Sequence, residues 1–312
     1  MTRLKIVLIL VFCLCVGFAL SSRQEDATQG RVPKKKYNLS ICAIFKNESN
    51  YLREWIEYHR LVGVDHFYLY TNNTTDSSRE VLQPYISRKI VTLINWPDAL
   101  KFSFLDQDEH NFIWPLSTQI PAYENAAKFT AIHETKWLVF LDIEEFLVPP
   151  QTNTLTEILE KYDDFPGVKL ASDFFDSSKL EIPRRKLLIE AIELVGAPES
   201  NLHKEVVKTI FKPELTEGFT WPPYECQFRN NSTPIALKKS EMRINHYVNR
   251  GSLFKKRKER MHIDNRMLAE EELASLLSAG YEIEDQDRPI YRYVPVLLKK
   301  MGYEQGRDWS RK

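Results

Sequence analysis

The chain has 312 residues, of which 43% are hydrophobic, 12% aromatic and 28% charged, proportions that describe a folded protein and exclude a disordered tail or a simple repeat. Lys plus Arg number 43 and Asp plus Glu number 43, so the net charge is zero and gives no reason for bulk binding to nucleic acid or to anionic membrane surfaces. Removing a leader leaves roughly 276 residues, enough for one large α/β domain or a domain with a small annex.

Ile6 to Leu20 is an uninterrupted apolar run behind Arg3 and Lys5, which reads as a secretory signal or a membrane anchor rather than part of the fold. It is shorter than the ~18–20 residues of a comfortable bilayer span. Ala19-Leu20-Ser21 has the small residues of a cleavage site; uncleaved, the segment would hold the chain in a membrane with its amino terminus cytoplasmic. Residues 1–22 are therefore read as signal peptide or signal anchor and 23–36, polar and basic, as a flexible stem. Either way the body leaves the cytosol. Cys13 and Cys15 fall in the leader, leaving Cys42 and Cys226 able to form at most one disulfide; apolar neighbours favour a buried thiol at Cys42. Asn38, Asn73 and Asn231 head sequons that permit N-glycosylation, and a fourth, Asn47-Glu48-Ser49, falls in a loop expected to face ligand instead.

The body opens with a buried strand, Leu39 to Phe45, and the loop Lys46-Asn47-Glu48-Ser49. A helix from Tyr51 to Leu61 follows, with Leu52, Trp55, Ile56 and His59 on one stripe and Gly63 as its left-handed stop. Phe67 to Tyr70 is a second strand, and Asp76 or Ser77 can cap the next helix. Ile90 to Ile94 is a third strand. This alternation argues for right-handed βαβ units on a parallel sheet. Asp98 to Trp114 is irregular and aromatic, and Gln119 to His133 is helical.

Next comes Lys136-Trp137-Leu138-Val139-Phe140-Leu141-Asp142-Ile143-Glu144-Glu145-Phe146, a continuous apolar run that ends in acids. The run has the character of a parallel strand covered on both faces, and its end sets charge at the crevice where open α/β sheets bind ligands. On an extended backbone Asp142 and Glu144 point the same way, two oxygen donors for a hard divalent cation that could in turn hold a diphosphate. Leu155 to Tyr162 reads as an outer helix, and Val168 to Phe175, Val206 to Phe211 and Met242 to Val248 as further strands.

Four blocks in this order resemble glycosyltransferase family 92 and its relatives with the GT-A fold. The first is Ala43 to Glu48 with Tyr51 to His59 and Gly63 to Tyr70. The second is Gln119 with Ala122-Tyr123, and the third is Phe140 to Phe146. The last is Lys204 to Pro213 followed by Ile244 to Tyr247 and the basic run beyond. The resemblance implies a GT-A, Rossmann-like, mostly parallel sheet with helices on both faces. The transferase domain would span 37–262, with 263–312 a C-terminal helical extension.

The resemblance also implies site roles. Asp142 and Glu144 match the D-x-D motif that grips the donor diphosphate through a divalent metal, the second acid being one methylene longer than usual. Glu145-Phe146 would brace the site, and His246 would complete the metal shell, a donor set suited to Mn²⁺. Lys46, Asn47, Glu48, Asn73 and Asp76 would cradle the nucleoside of a UDP-hexose. One of Lys255, Lys256, Arg257, Lys258 and Arg260 would neutralise the departing diphosphate. Inversion at the anomeric carbon needs one general base, for which Asp173 stands first with Asp176 and Glu225 behind it. Trp221 and Tyr224 would rim the acceptor cleft. The expected partners are a nucleotide-sugar donor, galactose favoured, and a glycan or glycoconjugate acceptor, on a Golgi membrane or exported. Two alternatives stay open: a metal-dependent phosphatase with an aspartyl nucleophile, and a non-catalytic sugar-binding protein.

Overall fold

A computed structural model describes residues 34–98, 115–176, 187–190, 193–195, 207–219, 226–248 and 289–303. The leader, most of the stem, Trp221, Tyr224, Glu225 and the basic run at 255–260 lie outside the described residues. Among the described residues no helix is long and apolar enough to cross a membrane.

The amino-terminal half alternates as expected: β1 (Tyr37–Phe45), α1 (Leu52–Leu61), β2 (His66–Thr71), α2 (Ser78–Ser87) and β3 (Val91–Asn95). A helical segment of three pieces, Pro115–Gln119, α3 (Ile120–Asn125) and Ala126–Thr130, leads to β4 (Thr135–Phe140). Its outer pieces are wide π turns, so the helix starts before the expected Gln119 and stops short of His133. After β4 come β5 (Glu145–Val148), α4 (Leu155–Leu159), β6 (Gly167–Asp176), β7 (Glu193–Val195), β8 (Val207–Phe211), β9 (Thr216–Phe219), β10 (Cys226–Phe228), β11 (Ile235–Ala236), β12 (Arg243–Val248) and α5 (Val294–Met301).

Among the described residues the main sheet has ten strands, in the order β3-β2-β1-β4-β8-β6-β12-β5 with β7 and β11 also on β6, and β9 and β10 form a separate pair. The first four strands are mutually parallel. β8 is antiparallel to both β4 and β6, β12 returns parallel to β6, and β5 closes the edge antiparallel to β12. The expected parallel sheet is thus parallel in its first half and mixed in its second. β4 and β6 therefore run the same way with β8 reversed between them, which strand patterns alone do not reveal.

Strand alternation divides the core in two. Leu39, Ile41, Ala43 and Phe45 of β1 pack with Leu52, Trp55 and Ile56 of α1, while Cys42 and Ile44 pack with Tyr123, Ala126 and Ala127 on the other face. Tyr123 stacks on Phe140 with ring centroids 4.3 Å apart, which ties the helical segment under β4. Helices therefore cover both faces of the parallel half, and the Cys42 thiol is free and buried. Gly63 has φ 100°, the left-handed stop anticipated for α1, and a β-carbon there would meet Thr156 Oγ1 at 3.1 Å.

The carboxyl-terminal extension is helical where described, but it is no appendage. Ile290, Val294, Leu297, Leu298 and Met301 join the same core cluster as α1. Lys300 Nζ donates to Glu57 Oε2 at 2.9 Å, and the Arg292 guanidinium donates to the carbonyls of Pro149, Pro150 and Thr152.

Candidate active site

β4 carries its apolar run to Leu141, whose N–H still donates to Cys42 O of β1 at 3.0 Å. The chain then turns at Ile143 and Glu144, closed by Glu145 N–H to Asp142 O at 3.0 Å, and re-enters the sheet as β5. The extended backbone expected through Glu144 is replaced by this turn, so the alternation that would align Asp142 with Glu144 does not apply. The cause lies in the sheet: Glu144 O must accept from Tyr247 N–H, at 3.0 Å, to start the pairing of β5 with β12.

Helix α1 holds β5 in place. Trp55 Nε1 donates to Glu145 O at 2.8 Å and Tyr58 Oη to Leu147 O at 2.9 Å. Leu147 N–H donates to His59 Nε2 at 3.2 Å while His59 Nδ1 donates to Trp55 O at 2.8 Å. This satisfies the outer edge of a short strand, whose backbone groups are costly to leave unpaired. Burial pushes His59 down to about 3, so it is neutral and its tautomer is fixed by these two bonds. The sequence stripe held Trp55 and His59 but not Tyr58, and the three together are the clamp that sets Glu145.

The acids meet through a residue the sequence reading passed over. Lys208 of β8, with 2% of its side chain exposed, donates to Asp142 Oδ2 at 3.0 Å and to Glu145 Oε2. Asp142 N–H donates to the same Glu145 Oε2 at 2.8 Å. Burial pushes the Glu145 carboxyl upward, Lys208 opposes it, and the charge of Asp142 adds to the rise. Glu145 Oε1 has no hydrogen-bond partner among the described residues, and His246 Nδ1 lies 3.6 Å from it, beyond hydrogen-bond reach. Asp142, Glu145 and His246 are thus brought together, and Glu144 is buried in the turn between them. A lysine inside the run Val207-Lys208-Thr209-Ile210-Phe211 is the signal that could have found this centre, since such a charge needs an acid beside it.

The two amino-terminal loops lie at the carboxyl ends of β1, which pairs with β4, and of β2, the next strand out. Their named side chains mostly bind each other. Asn47, at φ 57°, accepts through Oδ1 from Thr75 N–H at 2.8 Å and Asp76 N–H at 3.2 Å. Asp76 accepts from Ser49 N–H at 2.9 Å and from Ser78 N–H at 3.0 Å. Burial alone would raise the Asp76 carboxyl, but these bonds from Ser78 and Ser49 outweigh it and hold it below its ordinary value. Asn73 Nδ2 donates to Asp98 Oδ2 at 2.7 Å, and Asn72 Nδ2 to Asp98 Oδ1 at 2.9 Å. Lys46 is half-buried and Glu48 buried at the head of the first loop. Turn and cap chemistry therefore accounts for Asn47, Asn73 and Asp76, which fix the loops' shape.

Asp173 is not part of this cluster. In the register of β6 with β12, His246 pairs with Phe174, and their rings lie 5.3 Å apart. Asp173, one residue away, faces the other side of this part of the sheet, where it accepts from Lys239 Nζ at 2.9 Å and lies 3.3 Å from Arg243 Nε. Asp173, the first choice for the general base, is thus held by two cations and is not brought together with Asp142, Glu145 and His246.

A parallel 3-2-1-4 half-sheet whose carboxyl ends gather two loops and an acidic turn defines an α/β protein of the GT-A type. A family model for glycosyltransferase family 92 matches residues 35–276, and the chain belongs to that family. It is 26% identical over 220 residues to a glycosyltransferase family 92 protein of Oryza sativa subsp. japonica, covering 69% of this chain and 34% of that protein. It is 31% identical over 137 residues to the Arabidopsis thaliana galactan beta-1,4-galactosyltransferase GALS3, covering 42% of this chain and 25% of that one. The chain thus spans only 34% of the first of these relatives. Among solved structures, S. aureus TarS superposes with a TM-score of 0.40 at 13% identity, covering 67% of this chain and 60% of that one. The Pyrobaculum calidifontis mannosyltransferase PcManGT in complex with GDP-Man and Mn²⁺ gives a TM-score of 0.39 at 13% identity, covering 92% and 80%. Likeness at that level is too loose to carry residue roles.

Proposed function

We propose that the chain transfers a hexosyl group from a nucleoside diphosphate sugar to a hydroxyl of a glycan or glycoconjugate, with inversion. The observation that carries this is the acidic turn after β4, buried except at Asp142, beside the loops of β1 and β2 in a chain of family 92. UDP-galactose is the favoured donor, in keeping with the name of the galactan galactosyltransferase relative.

The donor set suits a cation shared with the diphosphate rather than a cage built by protein alone. Among the described residues no group of three or more His, Cys, Asp or Glu side chains is arranged to hold a metal. Asp142, however, is 14% exposed while Glu144 and Glu145 are buried, so it is the acid of the turn within reach of a ligand. A divalent ion bound largely by substrate phosphates and one or two carboxylates needs no more. In this reading Asp142 would hold Mn²⁺ together with the donor's phosphates, with Glu144 and His246 as the further candidates, and the ion when bound supplies charge against the leaving diphosphate. The loops locked by Asn47 and Asp76 would seat the nucleoside, chiefly by their backbone shape.

By the same reading the apolar leader directs the chain into the secretory pathway, to a Golgi membrane or beyond. The phosphatase alternative finds no support in the family match, which is to glycosyltransferase family 92. The test is a donor-hydrolysis screen across UDP- and GDP-sugars with and without Mn²⁺, with Asp142→Ala as the blank. The expected outcome is metal-stimulated turnover of a UDP-hexose that falls at least about a hundredfold in the variant. Full activity in Asp142→Ala would end the reading.

A further inference from the structure

Lys208 is among the largest fully buried side chains of the protein, in a class otherwise made of aromatic and aliphatic residues. Burying an ammonium costs several kcal/mol unless opposite charge and good geometry answer it. Here two carboxylates do, and the three groups are not equivalent. Glu145, 1% exposed, is gripped from two sides, by the ammonium and by the backbone N–H of Asp142. Asp142 alone reaches toward solvent, its side chain 14% exposed while Oδ2 is held at 3.0 Å by Lys208. Lys208 is too deep to touch a diphosphate itself, so any effect it has on the donor passes through Asp142.

We propose that Lys208 is a positioning residue: it pins one oxygen of Asp142 so that the other is presented to the cation and diphosphate of the donor, with Glu145 as its fixed counter-charge. This rests on the donor-site reading above. An untethered aspartate would sample several staggered rotamers, and the presenting one would be a fraction of them. Glu145 serves a different purpose in this scheme. It balances the ammonium and, through the Asp142 N–H, fixes the turn, while the clamp from Trp55, Tyr58 and His59 holds Glu145 in turn.

The test separates tethering from charge balance by comparing the full chain with Lys208→Met and with Lys208→Met/Glu145→Gln. Each is measured for melting temperature, for Mn²⁺ affinity by electron paramagnetic resonance and for UDP affinity by calorimetry in the presence of Mn²⁺. Lys208→Met is expected to melt lower, because it leaves two acids without their cation. The double variant is expected to recover melting temperature, yet to bind Mn²⁺ and UDP about ten- to a hundredfold more weakly than wild type, the range for partners that orient a metal-facing ligand. A merely structural lysine would regain affinity together with stability, so a double variant at wild-type affinity overturns the proposal. If Lys208→Met does not fold, the double variant still decides. Wild-type protein that binds neither Mn²⁺ nor UDP overturns the donor-site reading and this inference with it, whereas wild-type binding unchanged in the variants overturns the inference alone.

Discussion

Glu54 is a buried acid on α1, 4% exposed, whose two oxygens accept from Leu188 N–H at 2.8 Å and Ile189 N–H at 3.1 Å. Burial is the largest influence and raises its pKa from 4.5 to about 7; the two N–H bonds pull the other way, and the nearby charge of Glu190 adds to the rise. The sign follows from linkage. Below about pH 4.5 the carboxyl is protonated in both folded and unfolded chains and costs nothing. As pH rises from there toward 7 the unfolded chain releases the proton first, so the folded state loses stability until both are ionised. At about 1.4 kcal/mol per tenfold, the whole window is worth roughly 3 kcal/mol. Glu54→Gln has nearly the same shape and no titration, so it serves as the reference in urea denaturation at a series of pH values. Wild type should lose roughly 3 kcal/mol relative to the variant across that window and stay level outside it. A flat difference would refute the reasoning. A difference that rises with pH would show instead that the two N–H bonds dominate burial.

Further outcomes are expected at two positions. Asn47→Gly keeps the left-handed backbone but removes the acceptor for Thr75 and Asp76, which should cost about 1–2 kcal/mol and weaken UDP binding. Asn47→Ala should cost about 1 kcal/mol more, since φ is 57° there, and equal melting temperatures for wild type and the alanine variant would contradict the loop lock. Leu297→Ala, at a fully buried position of α5, should cost about 2–5 kcal/mol in urea denaturation. A loss under about 1 kcal/mol would make the terminal helix an appendage rather than part of the core.

The four blocks that resemble family 92, the strand-helix alternation and the stop at Gly63 were all legible in the chain. Hydrophobic period and turn chemistry are local, and each is written within about ten neighbouring residues. The apolar run ending at Asp142 announced a charged strand end in the same way. Strand direction beyond β4 was not legible, because a strand reads alike whichever way it runs and the choice rests with a partner far along the chain. For the same reason the alternation argument failed at Glu144, where pairing with Tyr247 of β12 demanded a turn.

What the sequence determined by itself is the family, the parallel amino-terminal half-sheet and the place of its acidic end. Only the tertiary structure decided which acids meet there, that Lys208 joins them from β8, and that Asp173 faces away. Contacts between residues 63 or 66 positions apart, as in Lys208 with Glu145 and Asp142, leave no periodic trace. They arise because a sheet brings distant strands to 4.7–4.9 Å spacing, about, and sets each side chain's face by register rather than by its neighbours in sequence.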